Sequence, residues 1–168
     1  MVDREESKSN AQSNARHEEV QQGGQHPRVL IAEDDWAFRD LLLWAFEDNG
    51  YDVVTVNSGT ELLKKLESSL PPGASIKAFD LVVSDVRMPG WSGLTALENL
   101  NSTPSVPPIV IITAYGSQEI HERAKHAGAV ALLEKPFEIS DLTDLAARSI
   151  AQHRALQGCN AIAEKNND

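Results

Sequence analysis

Four short apolar runs in this chain each stop on a chemically active side chain. Val29-Leu30-Ile31-Ala32 runs into Glu33-Asp34-Asp35, Leu81-Val82-Val83 into Ser84-Asp85, Ile109-Val110-Ile111-Ile112 into Thr113, and Val130-Ala131-Leu132-Leu133 into Glu134-Lys135-Pro136. Runs this short and this rich in branched side chains read as strands buried on both faces, the habit of parallel sheets. After Asp85 the sequence Val86-Arg87-Met88-Pro89-Gly90 forces a turn, so the Asp85 carboxylate is expected at the mouth of a strand's C-terminal end. Open α/β sheets place their chemistry there. If the strands are parallel, acidic side chains, a hydroxyl and an ammonium converge on one sheet edge.

The segments between these runs have helical character. Trp36 to Asp48 carries Phe38, Leu41, Leu42, Leu43, Ala45 and Phe46 as an apolar face, and Gly50 is placed for a C-cap. Tyr51 to Val56 reads as a further strand. Ser58 with Glu61 forms a capping box before Leu62, Leu63 and Leu66, and Pro71-Pro72-Gly73 ends that helix. The next strand is expected over Phe79 to Ser84, followed by a helix capped by Ser92 through Leu94, Leu97 and Leu100. Val110 to Thr113, Ser117 to Ala127 and Val130 to Leu133 give strand, helix, strand. A last helix is capped by Ser140, with Leu142, Leu145, Ala146, Ile150 and Ala151 inward. Strands alternating with helices over short links imply a doubly wound, mostly parallel sheet with helices on both faces. The run from Gln118 to His126 has little to bury and is expected to be the most exchangeable helix.

Composition narrows the partners and the compartment. With 168 residues there is room for one core plus tails. The expected division is a disordered extension over 1–26, with a marginal helix from Asn14 to Gln22, a folded domain over 27–154 and a polar tail over 155–168. A net charge of −10 disfavours direct contact with nucleic acid or an anionic membrane surface. One cysteine, Cys159, excludes an internal disulfide. The first residues lack a signal peptide's apolar core, and no apolar run approaches the roughly 20 residues of a spanning helix. A cytoplasmic protein is expected.

Crowded carboxylates raise one another's pKa values unless a cation neutralises them. Glu33, Asp34 and Asp85 offer hard oxygen ligands suited to Mg²⁺, with Mn²⁺ as an alternative. A divalent ion beside a free carboxylate allows phosphoryl transfer onto it, which makes Asp85 a candidate nucleophile. Lys135 supplies a fixed positive charge that pairs with Asp85 when empty and with phosphoryl oxygen when loaded. Thr113 can donate its hydroxyl to a phosphoryl oxygen. A cis Lys135-Pro136 bond would aim the lysine inward.

These blocks, Glu33-Asp34-Asp35, Asp85 to Gly90, Thr113-Ala114-Tyr115-Gly116 and Glu134-Lys135-Pro136-Phe137, resemble the signature of the response-regulator receiver domain of two-component signalling, over about residues 28–153. Thr113 follows Asp85 by 28 residues and Lys135 follows Thr113 by 22. The resemblance implies a flavodoxin-like (βα)5 fold with a five-stranded parallel sheet of order 2-1-3-4-5. It implies Asp85 as phospho-acceptor, and Mg²⁺ held by Asp34, Asp85 and the backbone carbonyl of Arg87, with Glu33 acting through metal-bound water. Thr113 becomes the switch hydroxyl and Lys135 the phosphate-pairing cation, supported by Pro136, Leu132 and Tyr115. A histidine kinase or phosphotransfer protein would be the donor. A protein partner or effector domain would read the fourth helix, fifth strand and fifth helix. Such a protein catalyses its own phosphorylation and dephosphorylation and is not a conventional turnover enzyme.

The chain departs from the family pattern in places. Ser68 to Ala78 is longer than usual, at the end of the sheet away from Asp85. Leu132 stands where a switching Tyr or Phe is common, which puts a coupled aromatic switch in doubt. Trp36 and Trp91 stand where smaller residues are common, and either pack over local gaps, or narrow access to Asp85 or make a partner surface. A haloacid-dehalogenase-like phosphatase needs a second aspartate where Arg87 stands. A flavodoxin-like electron carrier needs a phosphate-cradling first loop, and carboxylates there repel a flavin phosphate. A degenerate receiver that only binds proteins is the third alternative, disfavoured by the complete acidic set.

Overall fold

The computed structural model describes residues 26–68, 79–100 and 106–165. Within them, β1 (Arg28–Ala32), α1 (Trp36–Asp48), β2 (Asp52–Val56), α2 (Gly59–Ser68), β3 (Leu81–Asp85), α3 (Gly93–Leu100), β4 (Ile109–Thr113), α4 (Gln118–His126), β5 (Ala131–Glu134) and α5 (Ile139–Lys165) alternate. The five strands form one parallel sheet in the order β2-β1-β3-β4-β5. The extension over 1–25, the helix considered from Asn14 to Gln22, and most of the long connection before β3 lie outside the described residues.

The period of two along each strand divides the core. Leu30, Ala32, Val82, Ile109 and Ile111 face one side, where Leu62 and Leu66 of α2, Leu94 and Leu97 of α3, and Ala124 of α4 cover them. Val29, Ile31, Leu81, Val83, Val110 and Ile112 face the other, under Leu42 and Phe46 of α1 and Leu142, Ala146 and Ile150 of α5. Burying each such side chain contributes roughly 1.5–3 kcal/mol, so α1 and α5 are held on the sheet by a few large residues each.

Local chemistry fixes the helix starts. The Asp35 side chain accepts from the Phe38 N–H, Ser92 Oγ from the Thr95 N–H, and Ser117 Oγ from the Ile120 N–H. The capping box at α2 is displaced by one residue: Ser58 Oγ accepts from the Glu61 N–H, but the Glu61 carboxylate accepts from the Asn57 N–H. Ser140 is not the cap of α5, which already begins at Ile139. A turn in which Glu138 O accepts from the Asp141 N–H starts the helix earlier, and the Ser140 carbonyl accepts from Thr143 Oγ1.

Two inward assignments change. Leu41 is exposed because Leu42 and Phe46 already fill the sheet-facing stripe of α1. On α5, Ala151 is exposed, while Thr143 and Ser149 are buried beside Leu142, Ala146 and Ile150. β3 begins two residues later than expected and includes Asp85 itself, paired with Ile112 of β4, because the Val86 N–H still donates to the Ile112 carbonyl. α5 also continues through the segment read as a polar tail, to Lys165. Arg154 anchors this helix to the start of β3 through Asp80, at 2.7 Å.

Candidate functional site

The parallel register brings the strand ends level. Ala32 pairs with Ser84, Asp85 with Ile112, and Thr113 with Glu134, so Glu33, Asp85, Thr113 and Lys135 emerge at one edge. Glu33, Asp85 and Thr113 are buried, and Asp34 beside them is exposed.

Lys135 stands at the centre of the group. Its ammonium lies 2.8 Å from Glu33 Oε2 and 3.1 Å from Asp85 Oδ1. The Lys135–Pro136 peptide is cis. The lysine's backbone N–H donates to the Thr113 carbonyl at 2.8 Å, which ties the end of β5 to β4. Thr113 Oγ1 accepts from the Tyr115 N–H at 3.2 Å and reaches the Tyr115 carbonyl at 3.3 Å. The second carboxylate oxygen of Asp85 accepts from the Arg87 N–H at 2.5 Å.

The turn after Asp85 is shaped by glycines. Gly90 has φ +80°, a conformation that a side chain would strain, and Gly93 lies so close to the Asp85 carbonyl and Ser84 Oγ that no Cβ fits there. The Arg87 guanidinium stacks 4.4 Å from the centre of the Tyr115 ring, bridging this loop to the one after β4.

Burial dominates the electrostatics. Desolvation pushes the Asp85 carboxyl above its usual value, against the pull of the Lys135 charge and the Arg87 N–H, with the Asp34 charge adding to the rise. Glu33 is also pushed up, first by burial and then by the Asp85 charge, although its hydrogen bond to Lys135 opposes this. For Lys135, burial acts downward but is outweighed by the Glu33 hydrogen bond and the two carboxylate charges, and the net shift is upward. A pair of buried carboxylates thus shares one ammonium and remains short of positive charge.

That shortage suits a divalent cation. Among the described residues no three His, Cys, Asp or Glu side chains are gathered as a cage. Mg²⁺ needs only one or two carboxylates and keeps several waters, so Asp34 and Asp85 with a loop carbonyl are the residues that could hold it without a cage.

Two neighbours, Arg39 and Phe38, were not assigned to the site from the sequence, where Phe38 was read only as part of the apolar face of α1. Arg39 donates from one guanidinium nitrogen to the carbonyls of Glu33, at 2.8 Å, and Asp34, at 3.3 Å, holding the acidic turn in shape. A cation in the first turns of a helix opposes the helix dipole, and that misplacement was the available signal of a tertiary partner. Phe38 places its ring 4.3 Å from the Lys135 ammonium. Elsewhere on α1, Trp44 is 73% exposed, two turns from Trp36 at 70%, and Leu41 is 50% exposed. Leu132 is half-buried and, with His121, Ala124 and Ala131, lines a cavity of about 310 Å³ between α4 and β5.

The five-stranded sheet of order 2-1-3-4-5 with its five helices is a CheY-like, flavodoxin-type fold. The receiver-domain model of response regulators matches residues 29–147, and the chain belongs to that family. It is 38% identical over 135 residues to the transcriptional regulatory protein PdtaR of Mycobacterium tuberculosis, covering 78% of this chain and 62% of that protein. It is 35% identical over 136 residues to the transcriptional regulatory protein FixJ of Bradyrhizobium diazoefficiens, covering 81% of this chain and again 62% of the relative. The chain therefore spans less than two thirds of these relatives' length. A CheY-like receiver domain protein from Methanospirillum hungatei superposes with a TM-score of 0.70 at 26% identity, over 78% of this chain and 98% of that one. The receiver domain of a LuxO-type repressor from Vibrio parahaemolyticus gives 0.70 at 26% identity, over 79% and 96%. Receiver domains as a family switch on phosphorylation, generally bind Mg²⁺ for it, and interact with histidine kinases and effector domains. No helix among the described residues is long and apolar enough to cross a membrane.

Proposed function

We propose that this chain accepts a phosphoryl group on Asp85 from a histidine kinase or phosphotransfer protein, and that the loaded site alters a surface read by a protein partner or effector domain. The observation that carries this reading is the Lys135 ammonium standing between Glu33 and Asp85 at the C-terminal edge of the sheet. An Asp85 carboxylate oxygen attacks phosphorus, an O–P bond forms, the P–N bond to the donor histidine breaks, and the leaving imidazole takes up a proton. Bound Mg²⁺ would be held by Asp34, Asp85 and the Arg87 carbonyl, with Glu33 acting through its water, and would neutralise phosphoryl oxygens. Lys135 then turns from Asp85 toward a phosphoryl oxygen, and Thr113 gives up its contacts with Tyr115 to donate its hydroxyl to another. The cytoplasm is the setting this reading assigns.

The donor's seat is assigned to α1. Trp36 and Trp44 are exposed two turns apart on α1, just after the acidic turn, with exposed Asp40 between them and exposed Glu47 and Asp48 on the same side of the helix. Exposed tryptophans are the usual anchors of protein interfaces. The acidic side chains among them oppose self-association and favour a partner surface that carries basic residues. The output is assigned to α4, β5 and α5, because Thr113 and Lys135 lie at the roots of those elements.

Incubation with acetyl phosphate and Mg²⁺ tests the chemistry. It should add one acid-stable, base-labile phosphoryl group to Asp85, and Asp85→Asn should lose it. Undiminished labelling of that variant would overturn the assignment.

A further inference from the structure

The Lys135 ammonium has a third neighbour besides its two carboxylates, the face of Phe38 at 4.3 Å from the ring centre. That ring is not free to wander. Its backbone N–H donates to the Asp35 side chain at 2.8 Å in the cap of α1, and the ring makes a T-shaped contact with Phe137 at 6.0 Å between centres and an interplanar angle of 73°. Phe137 lies two residues beyond Lys135, so the aromatic pair clamps the same loop that delivers the lysine.

We propose that Phe38 is a positioning residue that keeps the Lys135 ammonium at the acceptor site while the lysine exchanges a carboxylate partner for a phosphoryl oxygen. The inference rests on the phosphorylation of Asp85 proposed above. Carboxylates grip an ammonium along particular N–H directions and must be released one at a time. A ring face attracts the same charge diffusely, without claiming an N–H. As Lys135 turns from Asp85 to phosphoryl oxygen, contact with Phe38 can persist, which confines the four-carbon side chain to the site during the exchange. α1 therefore contributes to the reaction through a ring as well as through the turn that precedes it.

The test separates the ring's electrostatics from its volume. Phe38 is replaced by mono-, di- and trifluorophenylalanine, which keep the shape and progressively weaken the ring face, and also by Leu and Tyr. The rate of Asp85 labelling by acetyl phosphate with Mg²⁺ is measured at saturating and limiting donor. The rate should fall stepwise with fluorination, reach about a fivefold loss in trifluorophenylalanine and in Phe38→Leu, and stay near wild type in Phe38→Tyr. In the unphosphorylated protein the ε-methylene protons of Lys135 should show an upfield ring-current shift that Phe38→Leu abolishes. Should Phe38→Leu fail to fold, the fluorinated series decides by itself. A wild type that labels normally, with a rate flat across the series, would overturn this inference and leave the acceptor assignment standing. A wild type that does not label at all would overturn that assignment, and this inference with it.

Discussion

Lys135 sits closer to Glu33, at 2.8 Å, than to Asp85, at 3.1 Å. The candidate phosphate-pairing cation is thus shared between a candidate metal-water ligand and the candidate acceptor, and whatever moves one carboxylate is felt by the other. Lys135→Ala removes the shared charge and leaves two buried carboxylates facing each other. Losing one partner of a buried ion pair costs several kcal/mol. With the lysine side chain 25% exposed, solvent screening reduces the expectation to about 2 kcal/mol. Mg²⁺ at millimolar concentration should recover more stability in this variant than in the wild type, because it meets a larger uncompensated charge. Urea melts with and without Mg²⁺ measure both effects, and equal Mg²⁺ increments in the two proteins would contradict the sharing.

The raised pKa values of Asp85 and Glu33 set the sign of the pH dependence. Each carboxyl binds its proton more tightly folded than unfolded, so stability falls as pH rises from the ordinary values of 3.8 and 4.5 through the higher folded values. Lys135, raised above 10.5, contributes stability that is fully present below that value and is lost as pH climbs through its folded value. In EDTA, Asp85→Asn should therefore melt higher than wild type at pH 7, with the difference shrinking as pH is lowered toward 4. A variant that melts lower at pH 7, or a difference independent of pH, would show that the lysine's attraction outweighs the burial of Asp85.

The sheet was legible because its strands are continuous apolar runs: Val29 to Ala32 and Ile109 to Ile112 have no other plausible setting in a chain of this length. The strand-end residues followed from the strands, since a parallel register fixes which ends lie together. Their neighbours did not. Phe38 and Arg39 reach the site from α1, and helical periodicity says which stripe faces the sheet but not which residue bends around its rim. Leu41 was misplaced for a related reason. An apolar residue beside the core stripe looks the same in sequence whether it is covered by the fold or left for a partner. Trp44 was absent from the expected apolar face, and its exposure gives meaning to the row formed with Trp36.

That row can be tested without disturbing the fold. Trp36 and Trp44 contribute little to the core, so Trp36→Ala and Trp44→Ala should each change stability by no more than about 0.5 kcal/mol. Labelling by acetyl phosphate should be unchanged, whereas transfer from the cognate phosphohistidine protein should slow by about tenfold or more, with most of the loss in affinity. Equal transfer rates in wild type and variants, at donor concentrations below saturation, would remove the donor's seat from α1.

The output surface turns on how weakly α4 is held. Of its side chains only Ala124 is buried, with Ile120 partly covered, and its ties to neighbours are solvent-exposed: Arg123 to Glu98 of α3 at 3.0 Å and His121 to Glu134 of β5 at 3.4 Å. An exposed ion pair such as Arg123–Glu98 contributes about 0.2–1 kcal/mol, so displacing α4 is inexpensive. Glu134 closes the link to the site. Its backbone pairs with Thr113, and its carboxylate packs against Gly116 at the entrance to α4, so a shift of the Thr113 hydroxyl toward phosphate pulls on the loop that Glu134 braces. Leu132 provides no aromatic ring to lock the moved state, and the change should be a redistribution of a few kcal/mol at most. Amide-resolved hydrogen exchange with and without beryllofluoride and Mg²⁺ measures it. Protection should change across residues 114–135 and into the start of α5, most strongly in α4. Changes confined to the loops after Glu33 and Asp85, with α4 and β5 silent, would move the output to α1 and the row of Trp36 and Trp44.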